Sequence, residues 1–339
     1  MHAGKNFKLW EAILWTRHDI YRLALIGAVP TLIYEVVDWK FIAVPWLPVA
    51  MVGTAVAFLI AFKNSASYDR LWEARKIWGG IVNQSRLWGI MSKDYVSNLH
   101  ATKPASESVL AEERRVLIYR HMAWLTALRF QLRQPRVWES MENRNNREYR
   151  KLFRVPELES DMGVEIASLL SQHELLEATK SKNAATQIVR LQADHLLDLR
   201  VRGLIDDFRH MEMQRVLGAF YDEQGKSERI KNFPYPRQFA TLNRYFVWLF
   251  VLLIPFGMLE EFNKLGELFA WLTIPFSVLV SWVFLTMERI GESSENPFQG
   301  GANDVPITAI SRTIEIDLRE MLGEQELPPP ISPHNHILM

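Results

Sequence analysis

The chain contains no cysteine. That excludes disulfides, Cys-containing zinc sites, thiolate catalysis and iron–sulfur clusters. It carries no net charge, with 39 basic against 39 acidic residues. A nucleic-acid binder carries a basic excess, so no nucleic-acid partner is expected. It has no Walker loop, no glycine-rich dinucleotide fingerprint and no EF-hand spacing. Its nine histidines show no metal-ligand spacing, so His121 and His210 read as surface or satisfied core side chains. Ser277 and Ser281 lie one turn apart with no base beside them, and read as helix-packing residues. No enzymatic constellation is visible, and no cofactor is expected.

The average composition hides an uneven distribution. The hydrophobic fraction is 48% and the mean hydropathy -0.07, values of an ordinary globular protein. Residues 41–62, FIAVPWLPVAMVGTAVAFLIAF, carry no charge, and as a helix they reach roughly 33 Å, enough to cross a bilayer core. Residues 268–287, LFAWLTIPFSVLVSWVFLTM, form a second uncharged run between Glu267 and Glu288. Two shorter runs precede these: residues 23–34, which contain Pro30, and residues 245–259. Pairing each short run with a long one gives two hairpins and four spans; the rival reading is two spans plus two core helices. Twelve tryptophans suggest a membrane interface, where a ring with one wet end is at home.

Charge at the ends of the runs sets the orientation. Lys5, Lys8, Arg17 and Arg22 precede the first run, and Lys63, Arg70, Arg75 and Lys76 follow the second. The two short connections are acidic on balance, through Glu35 and Asp38 in one and Glu260, Glu261 and Glu267 in the other. Both termini and the long middle are therefore expected in the cytoplasm, in a multi-pass membrane protein. Phe7, Trp10 and Leu14 have helical spacing without a cleavage site, which reads as an interfacial helix rather than a signal peptide.

The expected divisions are an interfacial helix at 1–22, a first pair of spans at 23–62, a polar helical region at 63–244, a second pair at 245–287 and a polar segment at 288–339. Within the polar region, apolar periodicity predicts helices over 113–132, 165–179 and 185–220. A further helix is expected over 308–322, followed by a mobile proline-rich tail at 328–333. The fold class is all-α: a membrane layer of four helices on a cytoplasmic helical layer.

Gly53, Ala57 and Ala61 recur every fourth residue, a small-residue stripe that permits close helix packing in lipid. Thr54, Phe58 and Phe62 recur at the same interval, about 100° further around the helix. These phenylalanines either face lipid or core, or face the axis of a cyclic oligomer. In the second case each residue becomes a ring, and two levels of Phe make a hydrophobic constriction that gates by dewetting. Neither long run contains a charge, which argues against a proton-coupled transporter.

Residues 63–86, KNSASYDRLWEARKIWGGIVNQSR, bring a resemblance into view. Asn64, Ser65, Tyr68, Arg70, Trp72, Glu73, Arg75 and Trp78 resemble the signature of the bestrophin family in its bacterial members, which implies a place in a bacterial inner membrane. So do ERIKNFPYP at 228–236, the IGESSENPF segment with Glu292, Asn296, Pro297 and Phe298, and Asn303, Asp304 and Pro306 before RTIEIDL. The resemblance spans nearly the whole chain. It implies a pentamer of four-span subunits around one ion pathway, with the lipid bilayer, permeant monovalent ions and identical subunits as partners. It implies a neck at Thr54, Phe58 and Phe62, and a second apolar ring near the cytoplasmic mouth, where Ile205 or Phe208 is the candidate. Animal members are gated by calcium held partly by an acidic run after the Asn-Pro-Phe motif. Here that place reads QGGAND, with Asp304 its one acid, so calcium gating is not expected. Chloride-like anions are favoured as the permeant species. A cation-permeable channel and a non-conducting membrane scaffold or sensor are the alternatives.

Overall fold

A single helix of 50 residues, α2 (Trp46–Tyr95), organises the molecule. In the computed structural model, which describes residues 1–339, every regular element is helical. At about 75 Å, α2 exceeds what a bilayer core needs and continues from an apolar layer into a polar one. Pro48 sits in its first turn, where a missing N–H costs nothing. In the apolar layer α2 packs beside α9 (Arg237–Asn263) and α10 (Thr273–Ser294), and α1 (Leu9–Val36) packs on both of those. In the polar layer it packs on α3 (Glu107–Arg133), α8 (Asp207–Asn232) and α11 (Ile307–Met321). The short helices α4 (Arg144–Tyr149), α5 (Met162–Ile166) and α6 (Gln172–Lys180), with α7 (Ala184–Val201), complete that layer.

Three helices, those containing α2, α9 and α10, are long and apolar enough to cross a membrane. The fourth expected span lies within α1. Its apolar run is short, but it packs antiparallel to α10: Gly27 meets Ser277 near one end, and Arg289 bonds Asp19 at 3.3 Å near the other. No break separates 1–22 from 23–62; the expected interfacial helix and the first span are one element. Pro30 lies inside it. Trp15 is tied to the polar layer, its indole N–H donating to Asn146 Oδ1 at 3.3 Å.

The core of 37 buried apolar residues lies in the polar layer, against nine in the apolar layer. That imbalance follows from solvent: lipid-facing side chains need no burial, whereas water-facing helices need a full core. Three of the twelve tryptophans serve this core rather than a membrane interface. Trp78, Trp88 and Trp124 are among the largest fully buried side chains of the polar-layer core. Trp88 donates to the Leu117 carbonyl at 3.2 Å, and Trp124 to Gln224 Oε1 at 2.9 Å.

Two expected helices are each divided. A capping box at Ser171 and Glu174 starts α6 afresh, so the segment 165–179 is α5 and α6. Gly203, at φ 73°, and the Asp206 cap separate α7 from α8 within 185–220. The proline-rich tail is not free. It carries residues 334–339 back to the start of the chain, where Ala3 N–H donates to the His336 carbonyl at 2.7 Å. Ile337 and Met339 are buried there with Phe153 and Val155.

Candidate pore wall and inner aperture

One face of α2 is occupied within the subunit. Val49, Gly53, Val56, Ile60 and Lys63 are buried against α9 and α10. Gly53 is required: a Cβ there would stand 2.6 Å from the Phe250 ring. The small-residue stripe is therefore split, since Gly53 packs inside its own subunit. Ala57 and Ala61 are exposed along a groove lined also by Phe250 and Phe284.

Thr54, Phe58 and Phe62 lie together on the outer face of the subunit. Phe58 is 63% exposed and Phe62 71%. The Thr54 hydroxyl donates back to the Ala50 carbonyl at 3.0 Å, which turns a lone-pair-bearing oxygen and a methyl outward. This face continues past the apolar run through Ser65, Tyr68 and Trp72. Tyr68 and Trp72 stack at 6.3 Å, and Arg75 stands over Trp72 at 5.8 Å.

Directly beneath Phe62, polar groups clamp α2 to its neighbours. Lys63 Nζ donates to Glu288 Oε1 at 2.5 Å, with both side chains buried. Asn243 Nδ2 donates to the other oxygen of Glu288, so one carboxylate joins α2, α9 and α10. Asn64 Nδ2 donates to the Met287 carbonyl at 3.2 Å. Arg70 donates to three carbonyls, Glu295, Ile230 and Phe233, each at 2.9 Å. Glu73 pairs with Arg229 at 2.8 Å on the surface. Several signature residues are thus fasteners between the two layers. Sequence reading missed Lys63, Asn243 and Glu288. The available signal was a charge of each sign immediately after the two long runs.

The segment after α10 is also fastened. Glu292 accepts from Asn143 Nδ2 at 3.0 Å, Asn296 and Phe298 are buried, and the Pro297 carbonyl accepts from Val305 N–H at 3.1 Å. Asp304 is buried, accepting from Gly300 N–H at 2.7 Å and from Arg133 at 3.2 Å. Burial pushes its carboxyl up to about 6, against the opposing pull of Arg133. An arginine thus already stands where a cation would have to approach this acid.

The two aperture candidates part company. Ile205 is 1% exposed and belongs to the large core, so it cannot present a ring to an axis. Phe208 is 82% exposed in the first turn of α8, where the Asp206 carboxylate accepts its backbone N–H at 2.9 Å.

Residues 14–320 match the family model described as bacterial/fungal bestrophin protein. The chain belongs to the bestrophin family. Among its relatives, the voltage-dependent anion channel-forming protein YneE of Escherichia coli is 26% identical over 317 residues, 94% of this chain and 88% of that one. A voltage-dependent anion channel-forming protein of Ralstonia nicotianae is 28% identical over 296 residues, 84% and 82% of the two chains. The fold matches that of a bacterial bestrophin homologue from Klebsiella pneumoniae with a TM-score of 0.75 at 23% identity, over 91% of this chain and 99% of that one. The relatives carry the names of channels, not of enzymes. In this bestrophin the ordered residues around α2 bind one helix to another and leave one aromatic face unengaged.

Proposed function

We propose that five copies of this bestrophin surround a central axis and pass monovalent anions of the chloride type passively down their gradient. One observation carries the reading. Only 17% of the most apolar window of α2 is buried within the subunit, against 44% for α9, and its free face bears Thr54, Phe58 and Phe62. A helix so little engaged by its own chain, yet clamped in orientation by Lys63, Asn64 and Arg70, suits a wall shared with identical copies. Five Phe58 and five Phe62 then form a narrow, poorly hydrated neck. Phenyl rings have positive edges, and rings turned edge-on to the axis favour anions. Phe208, exposed on α8, forms the second ring toward the cytoplasm. The names of the relatives support anion passage.

The positive flanks of the spans put both termini and the polar layer in the cytoplasm of an inner-membrane protein. Calcium does not gate this channel. Asp304 is the single acid of its loop, it is paired with Arg133, and a hard cation needs several oxygen ligands.

Reversal potentials across a reconstituted bilayer under a potassium chloride gradient test the selectivity. A reversal near the chloride potential is expected; one near the potassium potential overturns anion selectivity in favour of cation passage. Pentamers that pass no current under any voltage would leave a membrane scaffold as the function.

A further inference from the structure

A cavity of about 350 Å3 lies away from the proposed ion path. It sits between the inner ends of α1 and α10, the residues preceding α1, and the loop 296–304. Phe7, Trp15, Tyr149, Phe153, Ile290 and Ala302 supply most of its apolar wall. This volume is at the lower end of small-molecule sites, which begin near about 300 Å3. An apolar wall keeps such a space dry and receptive to hydrocarbon.

Its depth points to the occupant. Thr286, Ile290 and Ser293 of α10 all line it. Thr286 is the last residue but one of the uncharged run, and Ser293 lies seven residues on, roughly 10 Å further along the helix axis. The cavity therefore straddles the boundary between hydrocarbon and headgroups. Phe7, Leu9 and Trp10 beside it are exposed, as a surface facing lipid would be. Lys5 and Lys8, on either side of Phe7, are exposed and take part in no ion pair of the subunit. The segment carrying them is held in place through its bonds to residues 336–338 and the edge-on contact of His2 with Phe7 at 5.8 Å.

We propose that this cavity binds one acyl chain of an anionic membrane phospholipid, whose phosphate rests on Lys5 and Lys8. The apolar wall takes the chain, and the two free ammonium groups select the headgroup charge.

The test uses the full-length protein in lipid nanodiscs doped with phosphatidylglycerol bearing a photoreactive diazirine in its acyl chain, followed by peptide mapping. Adducts are expected to concentrate in segments 7–15, 141–153 and 286–293. Ala12→Phe and Ala302→Phe fill the cavity from two different elements, and each is expected to reduce those adducts about tenfold. Both variants must elute as the wild-type oligomer; if one does not, the other carries the test. The double variant Lys5→Glu, Lys8→Glu is expected to lower labelling by phosphatidylglycerol and leave the weaker labelling by phosphatidylcholine unchanged. Adducts confined to the exposed faces of α2, α9 and α10, or undiminished in the filled variants, overturn the site. Equal labelling by both lipids in wild type overturns the role of the two lysines.

Discussion

The Lys63 ammonium and the Glu288 carboxylate meet at 2.5 Å with side-chain exposures of 4% and 3%. Each stands one residue beyond a long uncharged run, so the pair joins the inner ends of α2 and α10. Removing one partner leaves a buried charge unpaired. Lys63→Met is expected to destabilise the subunit by about 3–5 kcal/mol, whereas removing both charges in Lys63→Met, Glu288→Met costs far less. Thermal unfolding of the two variants in detergent checks this. A single variant as stable as the double one would show that the pair is not the fastener described.

Phe58 and Phe208 are expected to act on conduction and not on stability, since both are largely exposed within the subunit. If Phe58 lines the proposed neck, Phe58→Ala should raise single-channel conductance by about twofold or more. Unchanged currents would remove Phe58 from the wall.

Ile205 behaves in the opposite way. Ile205→Ala should cost about 2–5 kcal/mol as a core truncation, while Phe208→Ala leaves the melting temperature within about 1 °C, as for a surface change. Side-by-side melting curves and bilayer recordings separate the two roles. A stable Ile205→Ala protein would contradict its place in the core.

Gly53→Ala places a methyl 2.6 Å from the Phe250 ring, and that ring is held edge-on against Phe284 at 4.7 Å. An overpacking cost of about 1–3 kcal/mol follows. Phe250→Leu in the same chain should recover part of it. Failure of that rescue would show that the ring does not set the limit.

Asp304 and His121 pull the pH dependence of stability in opposite directions. The Asp304 carboxyl is raised to about 6 by burial, so the native state holds this proton more tightly than the unfolded chain does. Stability from this group falls as pH rises from about 4 to 6. His121 is lowered to about 3 by burial, so the unfolded chain binds its proton first. Stability from this group rises as pH climbs from about 3 to 6.5. Melting temperatures of Asp304→Asn and His121→Phe, each compared with wild type at pH 4.5 and 6.5, should therefore change in opposite directions. Changes of the same sign would refute the assignment for one of the two.

Local features were legible because they are one-dimensional. The two long runs, the spacing of Thr54, Phe58 and Phe62, and the signature around Arg70 are periodic or ordered along the chain, and no partner is needed to read them. Breaks were harder. The cap at Asp206 and the capping box at Ser171 interrupt helices whose apolar periodicity runs on unbroken, so periodicity alone joined what side-chain hydrogen bonds divide.

By itself the sequence determined the helical class, the positions of the apolar runs and the family, since all three depend on residue type and spacing. Tertiary structure decided which face of α2 is spent on its own subunit, that Ile205 is core and Phe208 is free, and that the tail folds back beside residues 1–3. It also brought Lys63 and Glu288 together across 225 positions of chain. The reason is physical: burial and charge pairing are properties of two surfaces in contact, and the strip of residues on either one does not specify what it meets.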